Sequence, residues 1–260
     1  MVKAVFFDLD DTLLWDKKSI ATAFEKTCKI AEDRFGVDAK KLEKTVRKVA
    51  QELYSAYESY SFTQLIGINP FEGLWGDFND KEEGFQKLRE IVPEYRQHTW
   101  TLGLKIMGID NEEFGCELSE RFVSERKKAP FVYEDTFSVL DALKSKFRLL
   151  LLTNGSPELQ KMKLSMTSEL VPYFEHIVIS GEYGKGKPDP GIFAYALQKM
   201  NLTNGEVIMV GDNLHTDILG ANRSGIQSVW VNRHDLTAKE IKPTFEIKCL
   251  SELIEIVDTL

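Results

Sequence analysis

Asp8 and Asp10 stand two residues apart at the end of a short apolar run, Val2 to Phe7, near the start of the 260-residue chain. The run is nearly continuous in apolar residues, which marks a strand buried on both faces rather than the alternation of a half-exposed one. Side chains alternate along a strand, so Asp8 and Asp10 leave its C-terminal end on one side. Two adjacent carboxylates repel unless a positive partner lies between them, and a hard, oxygen-seeking cation is the simplest one. Further along, Thr153-Asn154-Gly155-Ser156 precedes a helix and offers an anion a small hydroxyl and backbone N–H groups. Lys187 stands on a turn between Gly184 and Pro190, and Asp212 closes another apolar run, with Asp217 shortly after it. These types suit a phosphate together with a divalent ion.

Each position taken alone has a plainer account. Asp8 to Asp11 could be an acidic turn in solvent, and Thr153 to Ser156 a helix cap. Lys187 could be a solvated loop lysine, Asp212 a cap for the next helix, and Asp217 a surface carboxylate. His98, His176, His215 and His234 show no metal-ligand spacing and read as structural or solvated. The joint placement outweighs these accounts. Every polar group named falls at the C-terminal end of a strand, where open α/β sheets bind ligands.

Periodicity gives the elements that must position these groups. After the first strand, apolar runs at Leu149–Leu152, His176–Ile179, Val207–Val210 and Ser228–Val231 read as strands, with a short extra one within Phe245–Leu250 before a closing helix. Helical patterns separate them. One carries Phe137, Val139, Leu140 and Leu143. A second follows Ser156-Pro157 with Leu159, Met162, Met166 and Leu170 on its buried face, and a third runs from Asp189-Pro190 through Met200. This alternation predicts an α/β fold with a doubly wound, mostly parallel, Rossmann-like sheet. From Trp15 to Lys128 no strand is evident. Helical stretches carry Leu42 to Tyr57, Phe85 to Val92 with Pro93 interrupting, Trp100 to Met107, and Phe114 to Phe122. An aromatic loop with Phe62, Phe71, Trp75 and Phe78 lies between the first two, polar enough for the surface yet rich in rings that want cover. A parallel crossover needs only about a dozen residues, so the surplus predicts an inserted all-helical cap domain at 16–128. The α/β core is then 1–15 with 129–260, and the cap a lid hinged near 15–17 and 127–131.

The 33 Lys and Arg against 41 Asp and Glu give a net charge of −8, which disfavours extended nucleic acid as a partner. Cys28, Cys116 and Cys249 have no disulfide or zinc spacing and read as buried thiols of a reduced protein. No apolar stretch approaches the about 20 residues of a membrane span, and acids interrupt the opening run as they would not in a signal peptide. A cytoplasmic protein with no membrane partner is expected; the pattern sets no oligomeric state.

The segments FDLDDT, LLLTNGS, GKGKPDPGIF and VGDNLHTDILGA resemble, in order, the four motifs of the haloacid dehalogenase superfamily. The match covers the first strand and essentially all of 131–232, and the inserted segment is similar in position and size to that family's first-type helical cap. The resemblance implies a magnesium-dependent phosphatase. In it Asp8 is the nucleophile forming an aspartyl phosphate, and Asp10 is the general acid and then base. Mg2+ is held by Asp8, the backbone carbonyl of Asp10, and Asp212. Thr153 and Lys187 bind phosphate with Asn154 nearby, and Asp217 supports the metal water or Lys187. Asp10 separates this branch from the dehalogenases, which displace halide without an acid. A phosphomutase shares the same aspartates, and a non-catalytic phospho-ligand binder would lack one. A signalling receiver lacks a hundred-residue insert. The opening and the aromatic loop resemble relatives acting on phosphoserine, sialic acid 9-phosphate and nucleotides. The implied partner is a small phosphorylated metabolite, O-phosphoserine ahead of nucleoside 5′-monophosphates and sugar phosphates. Arg47, Arg89 and Arg96 are candidates for a substrate carboxylate; Phe62, Phe71 and Trp75 could stack on a base or form the cap's own core.

Overall fold

Ala4–Phe7 (β1) is buried at every residue. In the structure, a computed structural model describing residues 1–260, it lies inside a six-stranded sheet. The other strands are β2 (Arg148–Thr153), β3 (His176–Ile179), β4 (Val207–Gly211), β5 (Gln227–Val231) and β6 (Phe245–Ile247), ordered β3-β2-β1-β4-β5-β6. Every pairing is parallel, so the expected mostly parallel sheet is wholly so. Phe7 is in register with Leu151 on one side and Val210 on the other. The strand order turns back at β1, which opens a crevice beyond the carboxyl ends of β1 and β4.

Alternation along the strands builds two cores, one on each face. Val5, Phe7, Leu149, Leu151, Ile208 and Val210 join one cluster, and Ala4, Phe6, Leu150, Leu152, Val207 and Met209 join the other. A sheet covered on both faces explains why these strands read as unbroken apolar runs.

Asp16–Phe131 forms one compact unit; Met1–Trp15 with Val132–Leu260 forms the other. The inserted unit contains helices α1 (Asp16–Phe35), α2 (Ala39–Ala56), α3 (Tyr60–Ile66), α4 (Pro70–Gly73), α5 (Glu83–Ile106) and α6 (Glu112–Lys127). Two expectations are corrected here. Pro93 does not interrupt a helix, for α5 runs unbroken through it and joins two expected stretches. An interior proline costs about 3 kcal/mol. Eight buried residues, from Phe85 to Leu104, lie on both sides of it along one face, and large apolar side chains each contribute about 1.5–3 kcal/mol when buried. Burial wins. The aromatic loop also proves to hold α3 and α4, with Trp75 and Phe78 fully buried. Helix α1 went unread because its buried face is built largely of Ser19, Ala23, Thr27 and Ala31, whose small or polar side chains leave little hydrophobic contrast.

The core unit adds α7 (Thr136–Lys144), α8 (Pro157–Met166), α9 (Ser180–Tyr183), α10 (Pro190–Met200), α11 (Leu219–Arg223) and α12 (Leu253–Val257). Leu140 and Leu143 of α7 belong to one core, and Ile192, Phe193 and Met200 of α10 to the other. Helix α8 departs in part from expectation: Leu159 is buried as expected and Met162 and Met166 are half-buried, while Gln160 and Lys163 are buried beside Leu159 and Leu164. Of the cysteines, Cys28 is buried and its thiol pushed up to about 12 by burial, whereas Cys116 and Cys249 are half-buried. No helix is long and apolar enough to cross a membrane.

Candidate active site

β1 delivers Asp8 to the crevice, where its backbone N–H donates to Val210 O at 2.9 Å as a last rung of the ladder. The chain then turns sharply. Leu13 and Leu14 N–H both donate to Leu9 O, and Asp11 adopts φ +62°, a left-handed conformation that Asp tolerates better than most residues. The turn brings Thr12 beneath the carboxylate. Thr12 Oγ1 donates to Asp8 Oδ2 at 3.2 Å and accepts from Asp212 N–H at 3.0 Å. One buried hydroxyl thus ties the end of β1 to the end of β4.

The other oxygen of Asp8 meets Lys187. Lys187 Nζ lies 2.7 Å from Asp8 Oδ1, 2.7 Å from Asp217 Oδ1 and 2.7 Å from Leu152 O. Asn154 holds the lysine's backbone from both sides: its Oδ1 accepts from Lys187 N–H at 2.8 Å and its Nδ2 donates to Lys187 O at 2.9 Å. Asp217 comes from a π-helical turn, Leu214–Ile218, and its Oδ2 also accepts from Asn213 N–H at 3.0 Å. A Cβ at Gly211 would overlap the Asp217 carboxylate, so a residue without a side chain is required at the end of β4.

Burial pushes the Asp8 carboxyl well above the usual carboxylate range; Lys187 opposes this, and Asp217 and Asp212 add to it. Burial also works to lower Lys187, but the carboxylates of Asp217 and Asp8 outweigh it and hold the ammonium above its ordinary value. Three carboxylates, Asp8, Asp212 and Asp217, bring ligand oxygens within 4.8 Å of one another. Hard oxygen donors, partly buried and this close together, fit a cation such as Mg2+.

Thr153 closes the adjacent edge of the site from the end of β2. Its Oγ1 accepts from Gln160 Nε2 at 2.7 Å. Gly155 follows at φ +139°, its N–H donating to Ser180 Oγ at 2.8 Å, and Ser156 caps α8 by accepting from Leu159 N–H at 3.2 Å. Asp10 points toward the same helix: its Oδ2 accepts from Gln160 Nε2 at 3.0 Å and pairs with Lys163 Nζ at 2.9 Å. The core therefore gathers Asp8, Asp10, Thr153, Asn154, Lys187, Asp212 and Asp217 at one sheet edge. Thr12, Gln160 and Lys163 were missed by sequence reasoning. The available signal for the last two was their three-residue spacing on the helix that follows Thr153–Ser156.

Within the inserted unit most of the aromatic and arginine candidates contact other residues of that unit. Phe71 meets Phe24 edge-on with centroids 6.1 Å apart, and Phe62 meets Phe85 at 5.0 Å. Arg47 lies over Phe24 and Phe71 and pairs with Glu43 at 2.8 Å. Arg96 donates to Gly73 O and Gly76 O and pairs with Asp77. Arg89 is exposed.

Comparison with known proteins bears on the family. The model of the haloacid dehalogenase-like hydrolases matches residues 2–225. The sequence is 33% identical over 232 residues to the phosphoserine phosphatase of Thermus thermophilus, covering 89% of each chain. It is 25% identical over 245 residues to the N-acylneuraminate-9-phosphatase of Homo sapiens, covering 93% of this chain and 87% of that one. Among solved structures, the magnesium-bound putative HAD-hydrolase YfnB of Bacillus subtilis shares the fold with a TM-score of 0.69 at 22% identity, covering 99% of each chain. The chain belongs to the haloacid dehalogenase-like hydrolase family and is one of its phosphoric monoester hydrolases.

Proposed function

We propose that this phosphatase is magnesium-dependent and works through a phosphoryl group carried on Asp8. One observation carries the reading: at the end of the central strand, each oxygen of a buried carboxylate has a donor, Lys187 on one and Thr12 on the other. That arrangement orients a nucleophile. Mg2+ would be held by Asp8, Asp212 and the backbone carbonyl of Asp10, with Asp217 beside it. When bound it supplies positive charge that keeps Asp8 ionised and neutralises phosphate oxygens. Asp8 attacks phosphorus while Lys187 and the Thr153 hydroxyl bind the oxygens on which negative charge is spread. Asn154, both of whose side-chain groups hold the Lys187 backbone, acts by placing that lysine. Asp10 gives its proton to the departing alcohol, then takes one from the water that releases phosphate from Asp8.

O-phosphoserine is the first substrate to test, supported by the 33% identity to a phosphoserine phosphatase. A sugar phosphate is the second, supported by the sialic acid phosphatase relative that covers 93% of this chain. Phosphate release from p-nitrophenyl phosphate should require Mg2+ and should vanish in Asp8→Asn. Turnover without divalent metal, or full turnover by Asp8→Asn, would contradict the reading. Ranking kcat/KM over phosphoserine, nucleoside monophosphates and sugar phosphates then tests the substrate. A preference of about tenfold or more for nucleotides removes phosphoserine from first place.

A further inference from the structure

We propose that Lys163 and Gln160 are positioning residues that fix the orientation of the Asp10 carboxyl by holding its Oδ2. The inference rests on the phosphatase reading above and concerns two residues of α8 that touch Asp10. Gln160 and Lys163 lie three residues apart, on one face of the helix. Gln160 is fully buried and Lys163 is 1% exposed. Both reach the same atom: Gln160 Nε2 lies 3.0 Å and Lys163 Nζ 2.9 Å from Asp10 Oδ2.

Stability is a poor explanation for this pair. Burying an ammonium is unfavourable unless its partner offsets the lost hydration, and an apolar residue of similar volume commonly serves a core as well or better. The Asp10 side chain is 25% exposed, so water could solvate it without help. Nor is the helix short of anchors, since Ser156 caps it, Pro157 starts it, and Leu159 and Leu164 are buried. The lysine's place is explained by what it holds.

Hydrogen-bond capacity gives the consequence. An ammonium and an amide NH2 donate and do not accept. With both directed at Oδ2, that oxygen serves as acceptor and rotation of the carboxyl plane is stopped. The carboxyl is thereby held in one orientation toward the reacting groups. In the first step, the Asp10 proton passes to the bridging oxygen as its bond to phosphorus breaks and the bond from Asp8 forms. In the second, Asp10 takes a proton from water as the water oxygen bonds phosphorus and the bond to Asp8 breaks. Gln160 also donates to Thr153 Oγ1 at 2.7 Å, so one amide fixes the acid relative to a hydroxyl proposed to bind phosphate.

The test is leaving-group dependence, which a merely structural role would not move. Values of kcat/KM are measured for a series from p-nitrophenyl phosphate to unsubstituted phenyl phosphate, whose poorer leaving group needs the proton more. In Lys163→Met the value for phenyl phosphate should fall by about 10- to 100-fold, while that for p-nitrophenyl phosphate stays within about threefold. Adding Lys163→Met to Asp10→Asn should cost almost nothing further, because both act through one group. Gln160→Met should steepen the same series less, and it carries the test if Lys163→Met does not fold. Equal losses across the series, no loss at all, or additive losses in the Asp10→Asn background would overturn the proposal. If wild-type enzyme hydrolyses none of these esters, or Asp8→Asn keeps its activity, the phosphatase mechanism itself fails, and that is seen before any α8 variant is made.

Discussion

At Asp8, two donors on one carboxylate do different work. Lys187 contributes charge and joins Asp8 to Asp217, and removing one member of such a buried set costs about 3–5 kcal/mol because its partners stay buried and unbalanced. Thr12 contributes direction, linking the Asp8 carboxylate to the backbone of Asp212 by a single side-chain oxygen. Thr12→Val keeps the shape and removes the hydroxyl. It should lower kcat by about tenfold and stability by about 1–3 kcal/mol, the cost of leaving a buried partner unsatisfied. Kinetics at saturating substrate and urea unfolding check this; unchanged kcat would mean that Thr12 does not orient Asp8. Asp8, Lys187, Asp212 and Asp217 were legible in the sequence because carboxylates and a lysine at strand ends are costly unless they share a partner. Thr12 was not, since a threonine after an acidic turn has many ordinary uses. Gln160 and Lys163 stayed hidden for a related reason: polar residues in a helix are read as its solvent face.

Among the elements, β4 and the π-helical turn after it set the acidic side of the site. Asp217 packs against Gly211 so closely that a methyl group would overlap it. Gly211→Ala should therefore destabilise the protein by about 1–3 kcal/mol, as overpacking commonly does, and reduce activity by displacing a residue paired with Lys187. Thermal unfolding together with kcat/KM measures both. A variant as stable and as active as wild type would show that the turn relaxes freely. The strands were legible because a sheet covered on both faces forces long apolar runs, and their ends located the chemistry. The helices of the insert were less so. Helix α1 buries small and polar residues, and α5 passes through Pro93 because its packed face outweighs the proline. Local signals fail where tertiary burial decides.

For the whole molecule, a sheet order that turns back at β1 collects groups from β1, β2, β4 and the loop after β3 at one edge. The chain's net charge of −8 makes that edge an unlikely resting place for an anion until cations are supplied locally. Lys187 is one such cation, and the spacing of Asp8, Asp212 and Asp217 provides for another. On the proposed mechanism, this arrangement would let an acidic site accept a phosphate ester and bond to it. Enzyme quenched during turnover of p-nitrophenyl phosphate with Mg2+, then digested and sequenced by mass spectrometry, tests that claim directly. A phosphoryl group is expected on Asp8, disappearing when substrate is exhausted. A phosphoryl group on any other residue, or an unmodified Asp8 in enzyme whose intermediate is trapped by rapid quenching at every time sampled, would contradict it.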